Sequence, residues 1–232
     1  MNYNDEIIKK INQMSGKYST YELFSDWIEM HALSIANTIK SDIWNYREEQ
    51  YLKIVHKYTR DELKNFLILQ DLLINALEVC KEDVLGYVFT TLQINSKVLG
   101  QVFTPPSIGA MMADLTFDIE KIINDKQIDF YEPACGSGVM IISAANHLYK
   151  NGLNYQKILH VIAQDIDLKC IYMTYIQCSL LGIQAEIVHG NSIEKPYPSE
   201  EYLEQEIFKT PFYYLGPTIF ADSNIFLDSK NI

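Results

Sequence analysis

The stretch Glu132-Pro133-Ala134-Cys135-Gly136-Ser137-Gly138 decides how the rest of this chain is read. It stands between a short β-like run, Ile128–Tyr131, and a segment with helical spacing of apolar residues, Val139–Lys150. A backbone that turns from strand into helix over two glycines passes close to whatever lies above the turn. It also presents the free N–H groups of the helix N-terminus there. Glu132, at the strand end, can pair with the cationic end of a ligand. Two glycines alone would suit any tight turn that needs them only for backbone reasons; the whole heptad is far more specific.

The same alternation continues downstream. Ile158–Ala163 and Glu186–His189 read as strands on either side of a helix at Leu168–Leu181. Strands alternating with helices imply a parallel sheet wound with helices. The second run leads into Ala163-Gln164-Asp165-Ile166-Asp167. An acidic side chain there, Asp165, suits both hydroxyls of a ribose, and Asp167 is placed to cap the next helix. The third run ends in His189-Gly190-Asn191-Ser192. Beyond it Pro196, Pro198, Pro211 and Pro217 punctuate the chain, and Phe212–Leu215 is expected as a last short strand.

Upstream the chain reads as helical. Ser19 caps a helix through Tyr21, Leu23, Phe24, Trp27, Ile28, Leu33 and Ile35, and Thr59 with Glu62 forms a capping box before a second. A shorter helix is expected over Glu82–Leu92. The character changes at Gly100–Pro106, which gives an N-terminal helical domain, 1–98, and a second domain, 99–232.

At 232 residues, 48% apolar and 21% charged, the chain can bury a full core. No apolar run approaches the roughly 18 residues needed to span a bilayer. The acidic, polar start Met1–Glu6 is unlike a signal peptide. Both features point to a cytoplasmic protein with no membrane partner. Cys80, Cys135, Cys170 and Cys178 show no CxxC spacing and no nearby histidine with ligand geometry, so reduced, buried thiols and no metal are expected. His31, His56, His147 and His160 are scattered, and His189 reads as a surface residue at a strand end; none is given a role. The net charge of −11, with 19 Lys plus Arg and no dense basic cluster, opposes tight DNA binding by this chain alone. Such binding is driven by cations that neutralise phosphates and release counterions.

The heptad is similar to the Asp-Pro-Ala-Cys-Gly-Ser-Gly signature of N6-adenine DNA methyltransferases, above all the modification subunits of type I restriction systems. Upstream, Gly100-Gln101-Val102-Phe103-Thr104-Pro105 resembles the Gly-Gln-Phe/Tyr-Phe-Thr-Pro segment of that family, and Asp83-Val84-Leu85-Gly86-Tyr87-Val88-Phe89 resembles its Asp-x-Leu-Gly element. The resemblance implies a Rossmann-like α/β methyltransferase sheet behind the helical domain, with S-adenosylmethionine as cofactor. It implies cofactor contacts at Gln101, Phe103, Thr104 and Pro105, the last two against the methionine part. It extends them to Glu132, Pro133, Ala134, Cys135, Gly136, Ser137 and Gly138, to Asp165 at the ribose, Ile166 along adenine, and Asn191 with Ser192 near the adenine edge. The implied activity is adenine-N6 methylation of DNA in a restriction-modification or mobile-element setting, with a specificity or catalytic partner subunit helping to hold the DNA.

One part of the family pattern has no counterpart. Adenine-N6 transfer uses Asn/Asp-Pro-Pro-Tyr/Phe to hold the target amine and stack the flipped base. The Pro105-Pro106 pair lies in the upstream segment, and Thr210-Pro211-Phe212-Tyr213 has one proline and Thr where the amide belongs. It reads as a degenerate remnant or, more simply, as entry into a strand. The catalytic residues are therefore not assigned, and the 41 residues after Asn191 leave room for roughly four or five strands in all. A non-catalytic, cofactor-binding regulator is the main rival reading. A methyltransferase acting on RNA or protein is a weaker one.

Overall fold

The structure, a computed structural model, describes residues 2–94, 103–219 and 225–226. Five helices come first: α1 (Tyr3–Met14), α2 (Thr20–Ala36), α3 (Trp44–Val55), α4 (Arg60–Cys80) and α5 (Val84–Ile94). Both capping boxes form. Ser19 Oγ accepts the Glu22 N–H (3.1 Å) while Glu22 accepts the Ser19 N–H (2.8 Å), and Thr59 and Glu62 repeat the arrangement before α4. Each box satisfies two N–H groups that the helix itself leaves free. The shorter helix begins at Val84 rather than Glu82, because Asp83 Oδ1 accepts the Gly86 N–H (2.9 Å) and holds the helix entrance.

Then follow α6 (Pro106–Thr116), α7 (Ile119–Asp125), β1 (Ile128–Glu132), α8 (Val139–Lys150), α9 (Tyr155–Ile158), β2 (Leu159–Asp165), α10 (Leu168–Leu181), β3 (Gln184–His189), β4 (Ile207–Lys209) and α11 (Pro211–Ile219). The sheet runs β1-β2-β3-β4, parallel across the first three strands and antiparallel between β3 and β4. One face carries Phe130, Leu159, Val161, Ala163, Ala185 and Ile187, and α8 and α10 pack over these strands. α2 packs on the far side of α10, so the helical region and the sheet share a continuous core. The other face carries Asp129, Tyr131, His160, Ile162 and Glu186, which line an open cavity of about 520 Å³. β1 ends the sheet, with no strand beyond it among the described residues.

The expected strand at Phe212–Leu215 is a helix instead. Thr210 is fully buried; its hydroxyl donates to Ile183 C=O (2.7 Å) and accepts the Ala185 N–H (3.0 Å), which ends the pairing with β3. Pro211 then takes the first helical position, where its missing N–H costs nothing. The last strand is the preceding Ile207–Lys209. The four cysteines are free as expected, but Cys80 is exposed rather than buried, at the end of α4 where the helix leaves the core. Among the described residues no helix is long and apolar enough to cross a membrane.

Candidate functional site

The glycine turn follows β1, and two of its residues require glycine: Gly136 has φ +55° and Gly138 φ +99°. A side chain in that region is strained. Around the turn the structure brings together Phe103, Thr104, Ala134, Cys135, Gly136, Ser137 and Asp165 in one cavity. Met140, Val139 and Cys170 complete the lining, and sequence reasoning did not find them. The Phe103 ring packs on Phe89 of α5 (5.4 Å between centroids), and a Cβ on Gly136 would come within 3.2 Å of it. The turn therefore lies directly under an aromatic side chain.

The turn is held from two sides. Gly136 N–H donates to Asp165 Oδ2 (2.9 Å), and the other oxygen of Asp165 accepts the Asp167 N–H (2.9 Å). Asp167 meanwhile caps α10 by accepting the Lys169 N–H (2.9 Å). On the buried side Ser137 Oγ donates to Asp83, Gln177 Nε2 donates to both Asp83 Oδ1 (2.9 Å) and Ser137 C=O (2.8 Å), and Thr174 Oγ1 donates to Gly136 C=O (2.9 Å). Burial pushes the Asp83 carboxyl above its usual range, against the opposing effect of these donors. This inner network ties α5 and α10 to the turn; no local pattern in the sequence announces it.

Glu132 accepts the Ala134 N–H (3.3 Å) and sits beside the cavity rather than in its lining. Pro133 and Gly138 belong to the turn without lining the cavity, and Pro105 caps α6 by its carbonyl. Ile166 is largely exposed next to Asp165. Asn191 turns its amide oxygen to the Ile193 N–H (3.1 Å), and neither it nor Ser192 lines the cavity. Gln101 lies outside the described residues. Thr210 lies at the wrong end of the sheet. It is bonded at the start of β3, whereas the cavity lies past the ends of β1 and β2, about 13 Å further along the strands at roughly 3.3 Å per residue.

Residues 81–215 match the N-6 DNA Methylase family. The chain belongs to that family. The family's cofactor is S-adenosylmethionine. A type I restriction enzyme methylase subunit of Methanocaldococcus jannaschii (MjaIX) is 23% identical over 112 residues, which are 48% of this chain and 18% of that one. Among solved structures, a class I S-adenosylmethionine-dependent methyltransferase of Listeria monocytogenes aligns over 82% of this chain and 54% of its own, at TM-score 0.43 and 16% identity. A type I restriction-modification methyltransferase subunit of Streptococcus thermophilus aligns over 68% and 34%, at TM-score 0.41 and 14% identity. The chain thus spans about a fifth of the curated relative it matches.

The residues of the glycine turn fit that cofactor. α8 starts at Gly138 with no side-chain cap, so its first N–H groups remain available to a carboxylate. Asp165 uses two of its roughly four lone-pair sites on the backbone, which leaves acceptors for hydroxyl groups. Asp165 lines the cavity and Glu132 stands beside it, two carboxylates whose charge suits a cationic ligand. Desolvation, with the Asp165 charge nearby, holds the Glu132 carboxyl above the ordinary range.

A bound cation stabilises the ionised form of Glu132, so binding releases a proton and affinity falls as pH drops through that raised value. Cofactor affinity measured from pH 8 to pH 5 is expected to weaken toward acid. An affinity that is flat or that rises toward acid would remove Glu132 from the site.

Cys135 is no nucleophile. Burial pushes its thiol up to about 12, and its N–H is spent on Gln164 C=O (2.9 Å). Cys135→Ala should hold cofactor affinity within about threefold, under about 1 kcal/mol. A much larger loss by calorimetry, with an unchanged circular dichroism spectrum, would contradict this.

Proposed function

We propose that this chain binds S-adenosylmethionine at the glycine turn and serves as the cofactor-holding part of a DNA adenine-N6 methyltransferase. The observation that carries the reading is the cavity itself: the Asp165 carboxylate, a helix start with no side-chain cap and Phe103 converge on a turn with two glycines at positive φ. In this reading Asp165 takes the ribose, the first N–H groups of α8 take the carboxylate, and Phe103 and Thr104 cover the methionine part. The bound cofactor supplies the methyl group. In this proposal 1–98 is the helical domain, whose α2 packs on α10, and 99–232 is the cofactor domain.

The acceptors that hold the target amine come, in this proposal, from another polypeptide, as does most of the grip on DNA. Two observations support that. The outer edge of β1 has no neighbour among the described residues, and the face bearing Asp129, Tyr131 and His160 is open. Parallel sheets are normally covered on both faces. The surface charge of a −11 chain also favours a partner that brings the basic side chains, in a cytoplasmic restriction-modification setting. The test is calorimetric titration of the full chain with S-adenosylmethionine, for which one site per chain is expected. Absence of binding at about 1 mM cofactor, a Kd weaker than about −4 kcal/mol of binding, would overturn the proposal.

A further inference from the structure

The helical region holds a second cavity that the proposed function does not use. α2, α3 and α4 line a partly open cavity of about 400 Å³, within the roughly 300–1,000 Å³ of small-molecule sites. Trp27, His31 and Phe66 are buried in its wall, while Arg60 and Lys64 are exposed at its rim. The wall would be ordinary apolar core but for two groups. The indole N–H of Trp27 and both ring nitrogens of His31 are buried without a hydrogen-bond partner, in side chains only 2% and 4% exposed. Buried polar groups are nearly always paired, and leaving them unpaired costs stability. Burial lowers the His31 pKa to about 4, so its ring is neutral at pH 7 and offers one donor and one acceptor.

The rim adds a charge. Lys64 is paired with Asp61 in solvent (2.8 Å), but Arg60 makes no ion pair among the described residues. An unpaired guanidinium beside an apolar cavity, on a chain of net charge −11, selects for an anionic group. The wall supplies aromatic surface, its unpaired nitrogens ask for one hydrogen-bonding substituent, and the rim asks for a negative charge.

We propose that this cavity is a binding site for a small aromatic carboxylate, its ring against Trp27 and Phe66, a polar substituent on Trp27 and His31, and its carboxylate at Arg60. The site lies on different helices from the glycine turn, and its test does not depend on the cofactor.

The probe is 1-anilinonaphthalene-8-sulfonate, which joins flat apolar rings to one anionic group. The full chain is titrated with the dye, and the Trp44→Phe variant leaves Trp27 as its single tryptophan. Saturable one-to-one binding with energy transfer from Trp27 is expected. Benzoate should displace the dye and benzylamine should not. Arg60→Glu, at the exposed first position of α4, and His31→Phe, which removes both unpaired ring nitrogens, should each weaken the dye at least tenfold while S-adenosylmethionine titration stays the same. Arg60 is exposed at the first position of α4, so Arg60→Glu keeps the test valid if His31→Phe fails to fold. No dye binding, binding to several weak sites, equal displacement by benzylamine, or unchanged affinity in Arg60→Glu would overturn the proposal.

Discussion

Asp165→Ala is expected to weaken S-adenosylmethionine binding by about 2–4 kcal/mol, or roughly 30- to 1,000-fold in Kd. Two losses add. The carboxylate's free acceptor sites no longer meet the ribose hydroxyls, and hydrogen bonds to charged groups are worth about 1.5–3 kcal/mol each. The same carboxylate also fastens the turn after β1 to the turn after β2, through the N–H groups of Gly136 and Asp167. Without it Gly136 loses the partner of its N–H, and the cradle must be reordered when ligand binds. Asp165→Asn separates the two effects. It keeps one acceptor for a backbone N–H but sets its own NH₂ against the other, and it removes the charge, so an intermediate loss is expected. Calorimetry measures both variants, with melting temperature as the check on the fold. Wild-type affinity in Asp165→Ala would remove Asp165 from the site, whatever the variant does to stability.

The parts of this molecule written in local signals were legible, and those decided by distant contacts were not. α8 and α10 occupy the expected Val139–Lys150 and Leu168–Leu181, because their ends are marked nearby by Gly138, Asp167 and Gly182. Phe212–Leu215 misled, since an aromatic run of that kind favours a strand by composition. The deciding contacts come from Ile183 and Ala185, some 25 residues earlier, which capture Thr210 and let Pro211 open a helix. The glycine turn between β1 and α8 was legible for the same local reason as α8. Its support was not: Asp83 reaches Ser137 and Gln177 across 54 and 94 residues of sequence. Cys170, expected as a buried thiol, is buried, yet it also lines the cavity.

The chain alone is expected to give no detectable methylation of adenine in DNA, even with saturating cofactor. The exocyclic amine of adenine is a poor nucleophile because its lone pair is delocalised into the ring. Acceptors that draw on both N–H bonds counter this, and each such placed contact is typically worth about 3–4 kcal/mol in the transition state. The segment nearest to such a device in sequence cannot serve. Thr210 is fully buried, with its hydroxyl donating to Ile183 C=O and accepting the Ala185 N–H, so it is out of reach of a substrate. Because β4 runs antiparallel to β3, Thr210 also lies at the end of the sheet remote from Glu132 and Asp165. The charge of −11 opposes the encounter with a polyanion as well, most strongly at low salt. The two obstacles respond differently. Raising the salt screens the second and leaves the first untouched, so activity should stay absent across ionic strength. Tritiated cofactor, nuclease digestion and chromatography of N6-methyladenine measure the outcome. Robust transfer by the isolated chain would refute the assignment of the amine acceptors to another polypeptide. Transfer that appears only when a partner carrying such acceptors is added would support it, and it would exclude a purely regulatory role for the cofactor site.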